Sequence, residues 1–161
     1  MFRVGLGHDV HAFAPSGSGR PLMLGGFEIP GERGLDGHSD ADVLLHSICD
    51  AVLGALGLGD LGRHFPDHDP RWKGVSSLLL LEKVAALMRQ HGYRLINLDA
   101  VVITESPKIA PHTEAMKATI AAALGATLAE VNIKGTSPEG LGSLGRKEGI
   151  AAETIALIGR I

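Results

Sequence analysis

The stretch that decides the fold is Gly149-Ile150-Ala151-Ala152-Glu153-Thr154-Ile155-Ala156-Leu157-Ile158. Its apolar residues occupy both odd and even positions, and the same holds for Ala-Val-Val-Ile at residues 100–103. Successive side chains of a strand point to opposite faces of a sheet, so strands with this pattern are usually covered on both faces. We therefore predict a sheet that contains both strands and is packed on each side.

The other patterns alternate between strands and helices along the chain. The predicted strands cover residues 3–13, 22–30, 93–104, 131–136 and 149–158. The predicted helices cover residues 41–56, 76–91 and 111–125. The first helix is expected to have Ser39 as its N-cap, with Asp40 and Asp42 in its first turn. This order predicts an α/β (α+β) fold in one domain, residues 1–161, around a four- to five-stranded mixed sheet.

The number of helices limits how the sheet is covered. Three helices can cover one face of a four- or five-stranded sheet, and little chain remains for the other face. We therefore predict that another copy of the chain covers that face, which makes the protein a homo-oligomer.

The composition excludes several classes of function. The chain has 15 Lys and Arg against 18 Asp and Glu, with one Trp, one Tyr and four Phe. Basic stripes and aromatic stacking platforms are therefore missing, which disfavours a nucleic-acid partner. No apolar run approaches the roughly 18 residues that a membrane span needs, so a membrane partner is not expected either. Because Cys49 is the one cysteine and no secretory signal is recognised, a cytoplasmic location is expected.

A candidate metal site combines the first strand with the first helix. Asp9 and His11 share one face of the strand and offer one oxygen and one nitrogen to a metal such as Zn²⁺. His46 lies on the helix midway between Asp42 and Asp50, and it completes a set of three ligands if the helix packs beside the strand. Asp50 is then expected to hold the second ring nitrogen of His46. The alternatives are a polar strand edge and a surface-exposed histidine.

Two further features suit a phosphorylated ligand. His38 precedes Ser39 at the predicted helix start, where backbone amides favour an anion and an imidazole adds a donor. The segment 135–146 combines hydroxyl groups, Glu139, Arg146 and flexible backbone, which suits phosphate oxygens and a bridging Mg²⁺ or Mn²⁺. A plain glycine loop is equally compatible with that composition.

Six segments that follow one another along nearly the whole chain carry a family resemblance. They are Gly-His-Asp-Val-His-Ala-Phe (7–13), Gly-His-Ser-Asp-Ala-Asp-Val-Leu-Leu-His (37–46), Gly-Asp-Leu-Gly-Arg-His-Phe-Pro-Asp-His-Asp-Pro (59–70), Ser-Pro-Lys (106–108), Asn-Ile-Lys (132–134) and Gly-Arg-Lys-Glu-Gly-Ile-Ala (145–151). In this order and spacing they resemble the 2-C-methyl-D-erythritol 2,4-cyclodiphosphate synthases of the non-mevalonate isoprenoid pathway. The resemblance implies a homotrimer with active sites between neighbouring subunits, which agrees with the predicted uncovered face.

The resemblance also implies a reaction and its cofactors. The substrate would be 4-diphosphocytidyl-2-C-methyl-D-erythritol 2-phosphate, whose 2-phosphate attacks the β-phosphate and releases CMP. The implied zinc ligands are Asp9, His11 and His46. The implied ligand of a second ion, Mg²⁺ or Mn²⁺ at the diphosphate, is Glu139. The residues implied to stabilise the transition state are His38 and Ser137.

Substrate contacts are implied by the resemblance in three groups. The contacts to the methylerythritol part are Asp60, Leu61, Gly62, Phe65, Pro66, Asp67, His68 and Asp69. The contacts to the cytidine part, in a pocket of the neighbouring subunit, are Thr104, Glu105, Ser106, Pro107, Lys108, Ile109, Ala110, Thr136, Ser137, Pro138 and Glu139. The further contacts are Asp9, Val10, His11, His38, Ser39, Ser143 and Arg146. Arg146 and Glu148 resemble a pair typical of the family, near the substrate and the trimer axis.

The chain departs from the family pattern at a few positions. Ser137 and Pro138 stand where the family usually has threonine, and Gly135 stands where it has a small residue. His68 stands where the family often has the threonine of a Pro-Asp-Thr-Asp run. Ser143 stands where the family often has Phe or another apolar residue. Serine keeps the hydroxyl donor, so we expect the chemistry to survive at Ser137.

Two other functions remain open from the residues alone. A zinc phosphoesterase would use the same three ligands to ionise water, and it would release inorganic phosphate or linear products. A non-catalytic trimer would bind a cytidine nucleotide without turnover. The chain shows no convincing nucleophile–base pair, which agrees with a reaction in which the substrate supplies its own nucleophile.

Overall fold

The computed structural model covers residues 1–161 and consists of a four-stranded mixed sheet, a separate hairpin and five α-helices. The strands are β1 (Phe2–Ala12), β2 (Pro21–Leu24), β3 (Phe27–Arg33), β4 (Tyr93–Ile103), β5 (Val131–Thr136) and β6 (Gly149–Arg160). The helices are α1 (Val43–Leu56), α2 (Leu61–His64), α3 (Ser77–Gln90), α4 (Thr113–Leu124) and α5 (Gly142–Gly145). The predicted α+β class and mixed sheet are confirmed.

The strand order in the sheet is β1-β6-β4-β5. β6 is antiparallel to both of its neighbours, and β5 is parallel to β4. The carboxyl ends of β1, β4 and β5 therefore lie at the same end of the sheet. The stretch 149–158 lies in a central strand, which agrees with its apolar pattern.

Residues 22–30 do not form the single strand that the sequence predicts. They form β2 and β3, which pair only with each other and stand apart from the main sheet. Gly25 and Gly26 have φ values of 63° and 74° and form the turn between them. Two successive residues with positive φ suit a tight hairpin turn, and this interrupts the strand.

The N-cap of α1 is Asp42, and the prediction of Ser39 was wrong. An oxygen of the Asp42 carboxylate accepts a hydrogen bond from the Leu45 amide at 3.0 Å. The same carboxylate accepts from the amides of Gly25 at 3.0 Å and Gly26 at 2.7 Å. The hairpin turn is thus tied to the start of α1, and this long-range contact selects Asp42 as the cap.

The contact between β1 and α1 is closer than side chains allow. A Cβ atom added to Gly5 would lie 1.9 Å from the carbonyl oxygen of Ala51, and one added to Gly7 would lie 1.8 Å from that of Ser47. The Gly5-x-Gly7 pair therefore serves backbone packing, and it lacks the third glycine of a dinucleotide fingerprint. The hydroxyl of Ser47 also lies 2.7 Å from that of Thr154, which joins α1 to β6.

The two faces of the sheet differ sharply. Helices α1, α3 and α4 pack on one face, as predicted, and the core between helices and sheet is apolar. The opposite face exposes apolar side chains, each 53–69% accessible: Phe2, Val4, Leu6, Val10 and Ile155. None of the helices has the length and apolar character needed to cross a membrane.

We expect the substitution Gly7→Ala to destabilise the protein because α1 must move away from β1 to admit the methyl group. Overpacking of this kind typically costs about 1–3 kcal/mol of unfolding free energy. The measurement is a urea titration at equal protein concentrations.

The matched control is Gly54→Ala, a substitution on α1, the helix that packs against Gly7. A Cβ atom at Gly54 meets only the Leu6 carbonyl oxygen, at 3.9 Å. This control should be neutral or stabilising by up to about 1 kcal/mol, since alanine favours a helix. Equal stability of Gly7→Ala and the unsubstituted protein would contradict the packing argument.

Candidate metal centre and substrate clefts

Asp9, His11 and His46 bring three ligand atoms together at the junction of β1 and α1. The Asp9 Oδ2 atom lies 3.0 Å from His11 Nε2 and 3.0 Å from His46 Nδ1. The two nitrogens lie 3.2 Å apart. Ligands about 2.0–2.1 Å from a tetrahedral zinc ion are roughly 3.3 Å from one another. The three atoms therefore fit one face of such a coordination shell, as the sequence predicts.

The outer nitrogen of each imidazole has its own partner. His11 Nδ1 lies 2.7 Å from the Asp36 carbonyl oxygen. A carbonyl only accepts, so Nδ1 carries the proton and Nε2 of the neutral ring faces the site with a lone pair. His46 Nε2 lies 2.8 Å from the hydroxyl oxygen of Ser77.

The prediction that Asp50 holds the second nitrogen of His46 was wrong. Asp50 accepts a hydrogen bond from the Leu61 amide at 2.7 Å instead. It therefore ties α1 to the start of α2, and Ser77 takes the place predicted for it. No local pattern shows this, because Ser77 is 31 residues from His46 in sequence.

The close contacts among these side chains favour the charged forms of Asp9 and His11. Burial by itself would raise the pKa of Asp9, but hydrogen bonds with His11 and His46 outweigh it, so this pKa lies below its ordinary value. Burial would likewise lower the pKa of His11, but the hydrogen bond to Asp9 raises it. A metal ion bound to His11 therefore competes with a proton, which makes metal affinity depend on pH.

A cleft of about 430 Å³ opens beside the three ligands. The predicted site residues that line it are Asp9, His11, His38, Ser39, His46, Asp60, Leu61, Gly62, Phe65 and Asp67. The structure does not place Val10, Pro66, His68 or Asp69 in its lining. Val10 lies on the exposed face of the sheet, because it alternates with Asp9 and His11 along β1.

Asp50, which the sequence analysis assigned to His46, also lines this cleft. Three residues of the lining were missed: Trp72, Val75 and Leu80. The segment after residue 70 reaches the cleft through the Gly74 amide, which donates to the His38 carbonyl at 2.8 Å. Trp72 packs edge-on against Phe65, with ring centroids 5.0 Å apart. The contact between Gly74 and His38 joins residues 36 positions apart, so no local pattern predicts that this segment reaches the cleft. The single tryptophan, a large aromatic residue near Phe65, was the one signal available.

A second cleft, of about 280 Å³, lies at the carboxyl ends of β4 and β5. The predicted residues that line it are Thr104, Glu105, Pro107, Lys108, Ile109, Ala110, Thr136 and Ser137, and Gly135 was missed. The structure does not place Ser106, Pro138, Glu139, Ser143 or Arg146 in its lining. His38 and Ser137, predicted as partners in catalysis, therefore line different clefts of one chain.

Glu105 organises the loop that follows β5. Its carboxylate accepts hydrogen bonds from the Ser137 hydroxyl at 3.3 Å and the Gly140 amide at 3.2 Å. The amide of Glu139 donates to the Ser137 hydroxyl oxygen at 2.9 Å. The Glu139 side chain is exposed and forms no hydrogen bond or ion pair within the chain. Arg146 contacts Glu148 at 2.6 Å, as an exposed pair.

Comparison with known proteins agrees with this geometry. The sequence model of the YgbB family matches residues 2–159. The chain belongs to this family. It is 56% identical over 158 residues to the 2-C-methyl-D-erythritol 2,4-cyclodiphosphate synthase of Geobacillus kaustophilus, covering 98% of each chain. It is 57% identical over 159 residues to the synthase of the same name from Bordetella petrii, covering 99% of this chain and 96% of that one.

Solved structures of similar proteins share the fold. The bifunctional IspDF of Campylobacter jejuni superposes with a TM-score of 0.94 and 41% identity, covering all of this chain and 43% of that one. IspF of Plasmodium falciparum, in a complex with CDP, superposes with a TM-score of 0.86 and 31% identity. That alignment covers 99% of this chain and 96% of the other.

We expect His46→Ala to abolish zinc binding and leave the fold intact, because the residue supplies one of three ligand atoms. Zinc content after dialysis, with the far-ultraviolet circular dichroism spectrum, is the measurement. The control is His91→Ala, an exposed histidine at the end of α3. A normal zinc content in His46→Ala would refute the ligand assignment.

Proposed function

We propose that this chain converts 4-diphosphocytidyl-2-C-methyl-D-erythritol 2-phosphate into 2-C-methyl-D-erythritol 2,4-cyclodiphosphate and CMP, by metal-assisted attack of the 2-phosphate on the β-phosphate. The reaction type follows from the family: the chain is a lyase of isoprenoid synthesis that forms a cyclic diphosphate. The observation that carries the mechanism is the convergence of Asp9, His11 and His46 at one cleft.

The donor set of the three side chains suits zinc. One carboxylate oxygen and two imidazole nitrogens are common zinc ligands, and three protein ligands leave one position for a substrate oxygen. Zn²⁺ bound there would supply a Lewis acid and draw charge from a phosphate oxygen. The carboxylate of Asp9 lowers the net charge of that centre, and the hydrogen bond of His11 to the Asp36 carbonyl fixes its ring.

Glu139 is the proposed ligand of Mg²⁺ or Mn²⁺ at the diphosphate. Its exposed carboxylate has no partner within the chain, and hard divalent cations prefer oxygen ligands. Such an ion would neutralise charge on the α- and β-phosphate oxygens. Glu139 follows Ser137 of the second cleft by two residues, which supports the proposal although Glu139 is not part of the cleft lining.

The remaining site residues bind and orient the substrate. His38 has an exposed imidazole beside the metal ligands, and Ser137 has a hydroxyl in the second cleft, so both are donors for developing phosphate charge. The first cleft suits the methylerythritol part and the second suits the cytidine part. Holding the two phosphates in reacting geometry can lower the activation free energy by about 7–11 kcal/mol.

The homotrimer expected from the sequence is part of the proposal. The two clefts lie at the same end of the sheet but beside its opposite outer strands, β1 and β5, which are three strand spacings, or roughly 14 Å, apart. The face opposite the helices exposes five large apolar side chains. Both features support an assembly in which the first cleft of one subunit joins the second cleft of its neighbour. The cytoplasmic location stays a prediction.

The test of the proposed reaction is incubation with the cytidylyl substrate, with and without a chelator. We expect CMP and a cyclic diphosphate, identified by mass and ³¹P spectra, and no turnover after chelation. Release of inorganic phosphate or of linear products would favour a zinc phosphoesterase. Binding of CMP or CDP without turnover would favour a non-catalytic binding protein.

We expect Glu139→Gln to lose activity mainly through its response to Mg²⁺ or Mn²⁺, because the neutral amide is a weaker ligand for a hard cation. The measurement is the rate as a function of divalent-ion concentration, at saturating zinc. Glu114→Gln, which changes an exposed carboxylate on α4, is the control. An unchanged titration curve for Glu139→Gln would count against the role.

We expect subunits carrying His46→Ala and subunits carrying Lys108→Ala to restore activity when they are refolded together. If the site is shared, an interface is intact when a Lys108→Ala subunit supplies the first cleft and a His46→Ala subunit supplies the second cleft. Random assembly would make about a quarter of the interfaces intact. Each variant alone is the control, and mixtures as inactive as the separate variants would show that one subunit holds the whole site.

A further inference from the structure

We propose that Ser77, held by the carboxylate of Asp40, is a positioning residue that keeps the ring proton of His46 on Nε2 and leaves Nδ1 free for the metal. The inference rests on the metal centre of the proposed function. It concerns two residues that the sequence reasoning did not assign to the ligand set.

The three side chains form a continuous hydrogen-bonded row behind the metal ligands. His46 Nε2 lies 2.8 Å from the Ser77 hydroxyl oxygen. The Ser77 hydroxyl contacts one carboxylate oxygen of Asp40, and the Ser77 amide donates to the other at 3.1 Å. Ser77 is fully buried, and His46 is 9% exposed. The contact between Ser77 and His46 is thus shielded from bulk water, and Asp40 is half-buried.

The directions of these hydrogen bonds follow from the chemistry of the groups. A carboxylate only accepts, and Asp40 already accepts from the backbone amides of Ser77 and Asp42. The single hydroxyl proton of Ser77 therefore points to Asp40, and its oxygen is left to accept from His46 Nε2. A neutral imidazole carries one N–H, so a proton held on Nε2 leaves a lone pair on His46 Nδ1. Nδ1 faces Asp9 and His11, and without a metal ion the Asp9 carboxylate, 3.0 Å away, draws the ring proton toward Nδ1. The hydrogen bonds from Nε2 to Ser77 and from Ser77 to Asp40 oppose that shift.

The loss of the Ser77 hydroxyl would leave His46 with a weaker partner. The remaining contact of Nε2 is the Ser39 hydroxyl oxygen, at 3.2 Å. Ser39 carries its own proton and can donate as well as accept, so it does not select one tautomer. The carboxylate of Asp40 is what gives the row its direction.

Ser77 also stands in the first turn of α3, so a structural role must be separated from the positioning role. The neighbouring Ser76 is the N-cap of α3, and its side chain accepts from the Leu78 amide at 3.2 Å. Ser76 has no contact with His46. Ser76→Ala therefore weakens the same helix start and leaves the row intact, which makes it a matched control.

The experiment compares Ser77→Ala, Ser77→Thr and Ser76→Ala with the unsubstituted protein. Zinc affinity is measured by competition with a chromophoric chelator, and the His46 tautomer of the metal-free protein is measured by ¹⁵N NMR. We expect Ser77→Ala to lose about 10–100-fold in zinc affinity and to show a proton on Nδ1 in part of the population. Ser77→Thr, which keeps a hydroxyl, should recover most of the affinity.

The outcomes separate this inference from the metal centre itself. Equal zinc affinities for Ser77→Ala and Ser76→Ala would overturn the positioning role and leave the metal centre standing. So would a fraction of His46 protonated on Nδ1 that is no larger in metal-free Ser77→Ala than in the unsubstituted metal-free protein. Failure of the unsubstituted protein to bind zinc would overturn the metal centre and the inference together.

Discussion

The packing of α1 directly on the backbone of β1 is the constraint on which the rest of the structure depends. Only glycine at positions 5 and 7 admits the helix carbonyls at this distance. The strand then continues to Asp9 and His11 on the same face, while the helix presents His46, one residue before the carbonyl that meets Gly7. The metal centre is therefore a consequence of backbone contact, because a wider spacing would separate the strand ligands from the helix ligand.

A group of buried polar contacts holds the beginnings of α1 and α3 against this centre. Asp42 is fully buried and accepts from three amides, two of which belong to the hairpin turn. Burial raises its pKa, and the amide hydrogen bonds oppose that rise. Asp40 joins the start of α3 to Ser77 and through it to His46. Hydrogen bonds from short polar side chains thus hold the starts of α1 and α3 and the hairpin turn together around His46.

The distribution of the two clefts over the sheet is the basis for proposing a shared site. The candidate metal ligands lie beside the outer strand β1, and the second cleft lies beside the outer strand β5. The intervening strands keep these parts apart, whereas the exposed apolar face invites contact with another copy. In the proposed assembly, one neighbouring subunit would both cover the exposed apolar face and bring its second cleft to the first cleft of this chain.

Local patterns predicted the main strands and helices and the side chains that share a face, because the period of an element sets its faces. The convergence of Asp9, His11 and His46 depended on α1 packing beside β1, which is a tertiary contact. The family resemblance implied most of the residues that line the two clefts, and also residues such as His68 and Glu139 that do not line them. The turn at Gly25 and Gly26 is a local hairpin signal that the prediction of one strand overlooked. Tertiary packing made Asp42 the cap of α1 and placed Ser77 rather than Asp50 behind His46. It also brought Trp72 to the cleft and divided His38 from Ser137. Apart from the Gly25-Gly26 turn, these outcomes depend on distances that are set by how the elements pack and not by a local pattern.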